Sequence, residues 1–237
     1  MHAVRRGPMV GLLAQVGVLA ALAVTVSLGG AGWAAGLACG LVTCAALTRG
    51  LNRHRVRRLG PADAVTLTRA ALVGGVAALV ADAFVRPVRL VAIVGVAVVA
   101  LVLDAVDGHV ARRSGTVSEL GARFDMEIDA FLILVLSVFV ARYAGWWVLA
   151  LGAMRYAYVV AGWVLPCLRL RLPLRYWRKV VAATVGIVLV VAAAYPGSLT
   201  TGALVVALAL LIESFGRDVI WQWQRRHTGL PTSRIAS

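Results

Sequence analysis

Runs of apolar residues at 9–28 and 31–48, and again over about 64–82, 88–107, 118–141, 144–166, 178–195 and 199–216, limit what this chain can fold into more than any other feature. Each comes close to the roughly 20 residues that a helix needs to cross a bilayer. In lipid the backbone N–H and C=O groups have no water to bond to, so such runs must satisfy themselves as helices. The expectation is an all-α polytopic membrane protein of about eight transmembrane helices, with no room for a separate soluble domain. A hydrophobic content of 61% and a mean hydropathy of +0.89 agree. The first run comes after the basic MHAVRRG and looks like a signal peptide, yet it leads into a second apolar run rather than a soluble region. The two runs are read as a hairpin turning at Gly29, Gly30 and Gly32.

The formal net charge of +14 would suggest nucleic acid if the protein were soluble. In a membrane protein, arginines at helix ends record orientation and attraction to anionic headgroups, so membrane lipids are the expected partner and nucleic acid is not. With both termini in the cytoplasm, inside segments hold 18 of the 24 basic residues, and the outside loops hold only Arg86, Arg89 and Arg142. The positive-inside rule selects that orientation. The densest cluster, Arg49, Arg53, Arg55, Arg57 and Arg58, is either a helix lying along the cytoplasmic headgroups and ended by Gly60 and Pro61, or a solvated loop. Richness in Ala, Val, Gly and Arg, with Lys179 the single lysine, suggests a bacterial plasma membrane. Cys39, Cys44 and Cys167 lack metal-ligand spacing and read as small packing residues.

Against this oily background, six of the ten acidic residues fall between Leu103 and Ala130: Asp104, Asp107, Glu119, Asp125, Glu127 and Asp129. Asp104, Asp107, Gly108, Ala111 and Arg112 are spaced by helical steps, and so are Gly121, Asp125 and Asp129, so each set shares one helix face. If the two segments are antiparallel neighbours joined by the polar turn from Arg113 to Ser118, Asp104, Asp107, Asp125 and Asp129 converge. Solvated helix ends paired with Arg112, Arg113 and Arg123 would explain one or two acids but not the set. Asp104 ends an apolar run and Asp129 sits within one, where a carboxylate is costly unless paired or functional. Converging like charges are relieved most simply by divalent cations, and hard carboxylate oxygens favour Mg²⁺, Mn²⁺ or Ca²⁺.

The eight residues Asp104, Asp107, Gly108, Ala111, Arg112, Gly121, Asp125 and Asp129 match every fixed position of D-x2-D-G-x2-A-R-x8-G-x3-D-x3-D. On that motif the chain resembles the CDP-alcohol phosphotransferase family. The resemblance implies an integral membrane enzyme with a six-helix core, moving a phosphatidyl-type group from a CDP-linked donor to an alcohol and releasing CMP. It also implies two divalent cations, Mg²⁺ or Mn²⁺, held by Asp104, Asp107, Asp125 and Asp129, with Asp129 doubling as general base, and a homodimer. Gly108, Ala111, Arg112 and Gly121 are assigned to the donor nucleotide. Small Gly108 and Ala111 let backbone approach it, the Arg112 fork matches phosphate oxygens, and Gly121 lets helices pack closely. PADAVTLTRAAL resembles the family's lead-in segment P-N-x2-T-x2-R at Thr66 and Arg69, with Asp63 where Asn is more usual. Arg69, about two turns into an apolar helix, must find an anion or an aqueous pocket, so Thr66 and Arg69 either line the site or brace helices.

Arg155, midway along an apolar helix, is expected to face the polar cavity, and Arg178 and Lys179 begin the next one. Three cations there suit a phosphorylated acceptor such as glycerol 3-phosphate or inositol phosphate. Positive-inside anchoring explains Arg178 and Lys179 equally well, and FDMEID around the third aspartate differs from the wording of better-known members. A neutral or lipid acceptor, such as serine or phosphatidylglycerol, therefore stays open, and so does a non-catalytic transporter or scaffold. The expected organisation is a transmembrane hairpin over 1–48, a basic segment over 49–62, the six-helix core over 63–217 and a cytoplasmic tail over 218–237. The expected donor is CDP-diacylglycerol.

Overall fold

The computed structural model describes the backbone of residues 6–54, 61–114, 119–164 and 176–228, with side chains described for those outside 6–8, 51–54, 61–64, 107–114, 119, 120, 122, 176, 223 and 225–228. Among the described residues there is no strand, and the chain forms eight α-helices: α1 (Arg6–Val26), α2 (Gly30–His54), α3 (Pro61–Ala83), α4 (Leu90–Ser114), α5 (Glu119–Ala144), α6 (Leu149–Val164), α7 (Tyr176–Ala194) and α8 (Ser198–Thr228). A single 3₁₀ turn, Trp146–Val148, precedes α6.

Among the described residues six helices are long and apolar enough to cross a membrane, namely α1, α2, α3, α6, α7 and α8, so the chain is an integral membrane protein. The sequence suggested about eight. The other two are α4, whose apolar stretch Leu90–Val106 runs to the edge of its described side chains, and α5, which carries Glu119, Arg123, Asp125, Glu127 and Asp129 in its first turns before its apolar part. At the other extreme, α2 runs on to His54 and α8 to Thr228, beyond the last strongly apolar residues. A helix does not end where lipid ends, because its hydrogen bonds are internal.

The arrangement is organised on α3, which packs against α1, α2, α4 and α5. Its composition permits this: small and β-branched Ala70, Ala71, Val73, Val76, Ala77, Ala78 and Val80 are all buried and let neighbours approach on several sides. The α4 and α5 helices touch little among the described residues. They are joined instead through α3 and α7, each of which packs against both. The core between α3, α5 and α7 is filled by fully buried Val76, Leu79, Leu136, Val140, Val185 and Leu189.

The hairpin turn lies earlier than the glycines suggested. Ser27, at φ 56°, reverses the chain, and α2 already begins at Gly30. Positive φ is uncommon for serine, and the turn is held from α3. Buried Asp82 accepts from the Gly29 N–H at 2.9 Å and from Arg86 Nε at 2.6 Å, while Arg86 donates to the Ser27 carbonyl. Gly32 lies inside α2, where a Cβ would come within 2.5 Å of Leu28 Cδ1 and 3.0 Å of the Ala78 carbonyl, so it is a packing glycine. At this same end of the bundle Arg142 lies over the Phe84 ring at 4.8 Å, and Tyr143 donates to the Ala192 carbonyl at 2.7 Å. The other end holds the site.

Candidate active site

Three helices supply the centre. Asp104 comes from the C-terminal half of α4, Asp125 and Asp129 from successive turns of α5, and Arg69 from the second turn or so of α3. Because α3 sits between its neighbours, its arginine reaches both acid-bearing helices. Arg69 Nη1 donates to Asp104 at 2.6 Å and also to Asp125, and Nη2 donates to Asp129 and, at 3.4 Å, to the Asp125 carbonyl. One guanidinium therefore binds all three carboxylates. The planar fork makes this feasible, since its N–H groups diverge in fixed directions toward separate acceptors.

The burial is asymmetric. The Arg69 side chain is 1% exposed, whereas those of Asp104, Asp125 and Asp129 are 35%, 25% and 33% exposed. The cation forms a floor and the carboxylates rise from it toward an opening. Their ligand oxygens all lie within 4.8 Å of one another, close enough to share a small cation. An all-oxygen, anionic donor set of this kind fits Mg²⁺ or Mn²⁺ in chemical type. Three carboxylates with one guanidinium keep a formal charge of −2, which a divalent cation complements.

Thr66 is buried on α3 one turn before Arg69, and Gly121 is half-buried in the first turn of α5. Asp107, Gly108, Ala111 and Arg112 fall in the last turns of α4, with side chains outside the described residues.

The three cations expected for an acceptor behave differently from one another. Arg155, on α6, pairs with Glu127 of α5. Arg178, on α7, pairs with Asp218 of α8 at 3.1 Å. Lys179 is exposed at the start of α7. All three lie at the carboxylate end of the bundle, and none of them makes up the Arg69 cluster.

Sequence reasoning missed a buried polar seam on α8. Ser214, Asp218 and Gln222 follow one another at steps of four along α8 and are all buried. Gln222 accepts from the Tyr158 hydroxyl at 2.7 Å, and Tyr158 meets Phe215 edge-on at 5.4 Å. The repeat of polar residues on a single face of an otherwise apolar helix was the signal that could have found it. The sequence likewise did not suggest that Glu127 would reach across to Arg155 on α6.

A family model described as CDP-alcohol phosphatidyltransferase matches residues 59–219, about two thirds of the chain, and leaves α1 and α2 outside the match. No curated protein and no solved structure matches the chain.

Proposed function

The chain belongs to the CDP-alcohol phosphatidyltransferase family, membrane transferases that move a phosphatidyl group from a CDP-alcohol in phospholipid synthesis, and from that premise we propose that it uses CDP-diacylglycerol with Asp129 as general base. The observation that carries the proposal is the convergence of Asp104, Asp125 and Asp129 on one half-exposed spot at one end of the bundle. Asp129 takes the proton of the acceptor hydroxyl as its oxygen forms a bond to the β-phosphorus, the one bearing diacylglycerol. The bond from that phosphorus to the bridging oxygen breaks, and CMP leaves with the electron pair. Asp104, Asp125 and Asp129, with Asp107, hold two divalent cations, which supply charge neutralisation for the pyrophosphate. Gly108, Ala111, Arg112, Gly121 and Thr66 contact the donor. The active site and both termini face the cytoplasm of a bacterial cell, where CDP-linked donors and metal ions are found. The enzyme works as a homodimer.

For the acceptor we favour a small phosphorylated alcohol of the glycerol 3-phosphate or inositol phosphate type. Lys179, exposed at the start of α7, would be its first contact, with Arg155 and Arg178 behind it. One observation supports the second reading, a neutral or lipid acceptor: Arg155 and Arg178 already carry acidic partners. The test is CMP release from CDP-diacylglycerol across glycerol 3-phosphate, inositol phosphate, inositol, serine and phosphatidylglycerol. Turnover with one of the phosphorylated alcohols alone supports the first reading. Turnover with serine, inositol or phosphatidylglycerol alone replaces it with the second.

A further inference from the structure

Arg69 was expected either to line the donor site or to brace helices, and the structure gives it a more specific position. It is the largest fully buried side chain among the described residues, and its donors reach one oxygen each of Asp104, Asp125 and Asp129, which sit on two different helices, α4 and α5. We propose that Arg69 is a resident counter-cation of the carboxylate cluster, holding the three aspartates together in the metal-free protein and competing with divalent cations for their charge. This rests on the reading of the cluster as the divalent-cation site.

The argument is electrostatic and geometric. Three carboxylates within 4.8 Å of one another repel strongly in a partly buried setting, and without a cation they would splay or take up protons. A metal ion cannot serve that purpose before it arrives. A guanidinium fixed in the core of α3 can, because it is charged at every accessible pH and cannot diffuse away. The same permanence has a consequence for the metal. A cation arriving from the open side feels the charge of Arg69 through the carboxylates, so it is held more weakly than three free aspartates would hold it. Arg69 therefore acts through the carboxylates as a positioning residue. A donor phosphate would have to compete with three carboxylates for its fork.

The test is Mn²⁺ binding to purified full-length protein in detergent, followed by titration calorimetry and by the Mn²⁺ electron paramagnetic resonance signal, for wild type, Arg69→Gln and Arg69→Lys. Thermal unfolding of each is recorded with chelator and with saturating Mn²⁺. The proposal expects Arg69→Gln to melt lower than wild type in chelator, to bind Mn²⁺ about tenfold or more tightly, and to gain more melting temperature from Mn²⁺ than wild type does. Arg69→Lys keeps the charge but loses the fork, so it serves as the second variant if the glutamine variant fails to fold. It is expected to shift in the same direction by a smaller factor. Mn²⁺ affinity unchanged or weakened in both variants overturns the proposal. So does unchanged affinity together with a raised KM for the CDP-lipid, which would make Arg69 a donor ligand. No Mn²⁺ binding to folded wild type overturns the metal reading of the cluster itself, a failure distinct from the other two.

Discussion

A single methyl group added at Gly152 is predicted to force α5 and α6 apart. A Cβ built on Gly152 would lie 2.5 Å from the Cα of Leu134, and 2.9 and 3.1 Å from its Cδ1 and Cβ. The leucine side chain can turn away, but its Cα belongs to the α5 backbone and cannot. Carbon contacts settle at about 3.5–4.0 Å, so the two helices must separate by roughly 1 Å at this point. Over-packing of this kind costs about 1–3 kcal/mol, and a clash against backbone belongs at the upper end. Alanine returns up to about 1 kcal/mol through its better helix propensity, which leaves a loss of roughly 2 kcal/mol. For a chain of this size that corresponds to a Tm lower by about 4–8 °C. The control is Gly95→Ala, on an exposed face of α4 where nothing lies within 4 Å of the new Cβ, and its Tm should be unchanged or slightly raised. Tryptophan fluorescence of the detergent-solubilised protein during heating gives both values. Arg155 lies one turn beyond Gly152 and reaches across this seam to Glu127, so the Arg155–Glu127 pair should be the first to separate. If Gly152→Ala melts with Gly95→Ala or above it, the close approach of α5 and α6 is refuted.

Three further outcomes are expected. Asp82→Ala leaves the Gly29 N–H and the Arg86 guanidinium without their carboxylate, and should destabilise the protein by about 1–3 kcal/mol in the same melting assay, detaching the α1–α2 turn from α3. Glu127→Gln breaks a pair whose members are 31% and 50% exposed, so stability should change by no more than about 1 kcal/mol, while the released Arg155 lowers the KM of a phosphorylated acceptor severalfold. An unchanged KM would separate Arg155 from acceptor binding. Chelator should stop CMP release, and Mg²⁺ or Mn²⁺ should restore it, as expected for a donor set made of carboxylate oxygens.

The helices were legible because hydropathy reports burial in lipid directly. Their ends were not, where α2 and α8 continue past the apolar residues on internal hydrogen bonds alone. Spacing placed Asp125 and Asp129 on one face of a helix, because helical periodicity is local. It could not show that α3 and α7 each pack against both α4 and α5. Nor could it show that the cation answering the aspartates comes from a residue 35 to 60 positions earlier. The partners of Asp82, Asp218 and Gln222 are hidden for the same reason. Gly29 lies 53 residues from Asp82, Arg178 40 from Asp218, and Tyr158 64 from Gln222. The sequence showed that Arg69 needed an anion, and only the packing showed which.

The central claim, that the aspartate cluster at the end of α4 and α5 performs the transfer with Asp129 as base, is tested most directly by CMP release from CDP-diacylglycerol in detergent with Mn²⁺, comparing wild type with Asp129→Asn. Asparagine keeps the shape but cannot accept the hydroxyl proton, so the rate should fall by about 10²–10⁴-fold while the thermal unfolding curve still shows a folded protein. Release by Asp129→Asn at the wild-type rate would contradict the account.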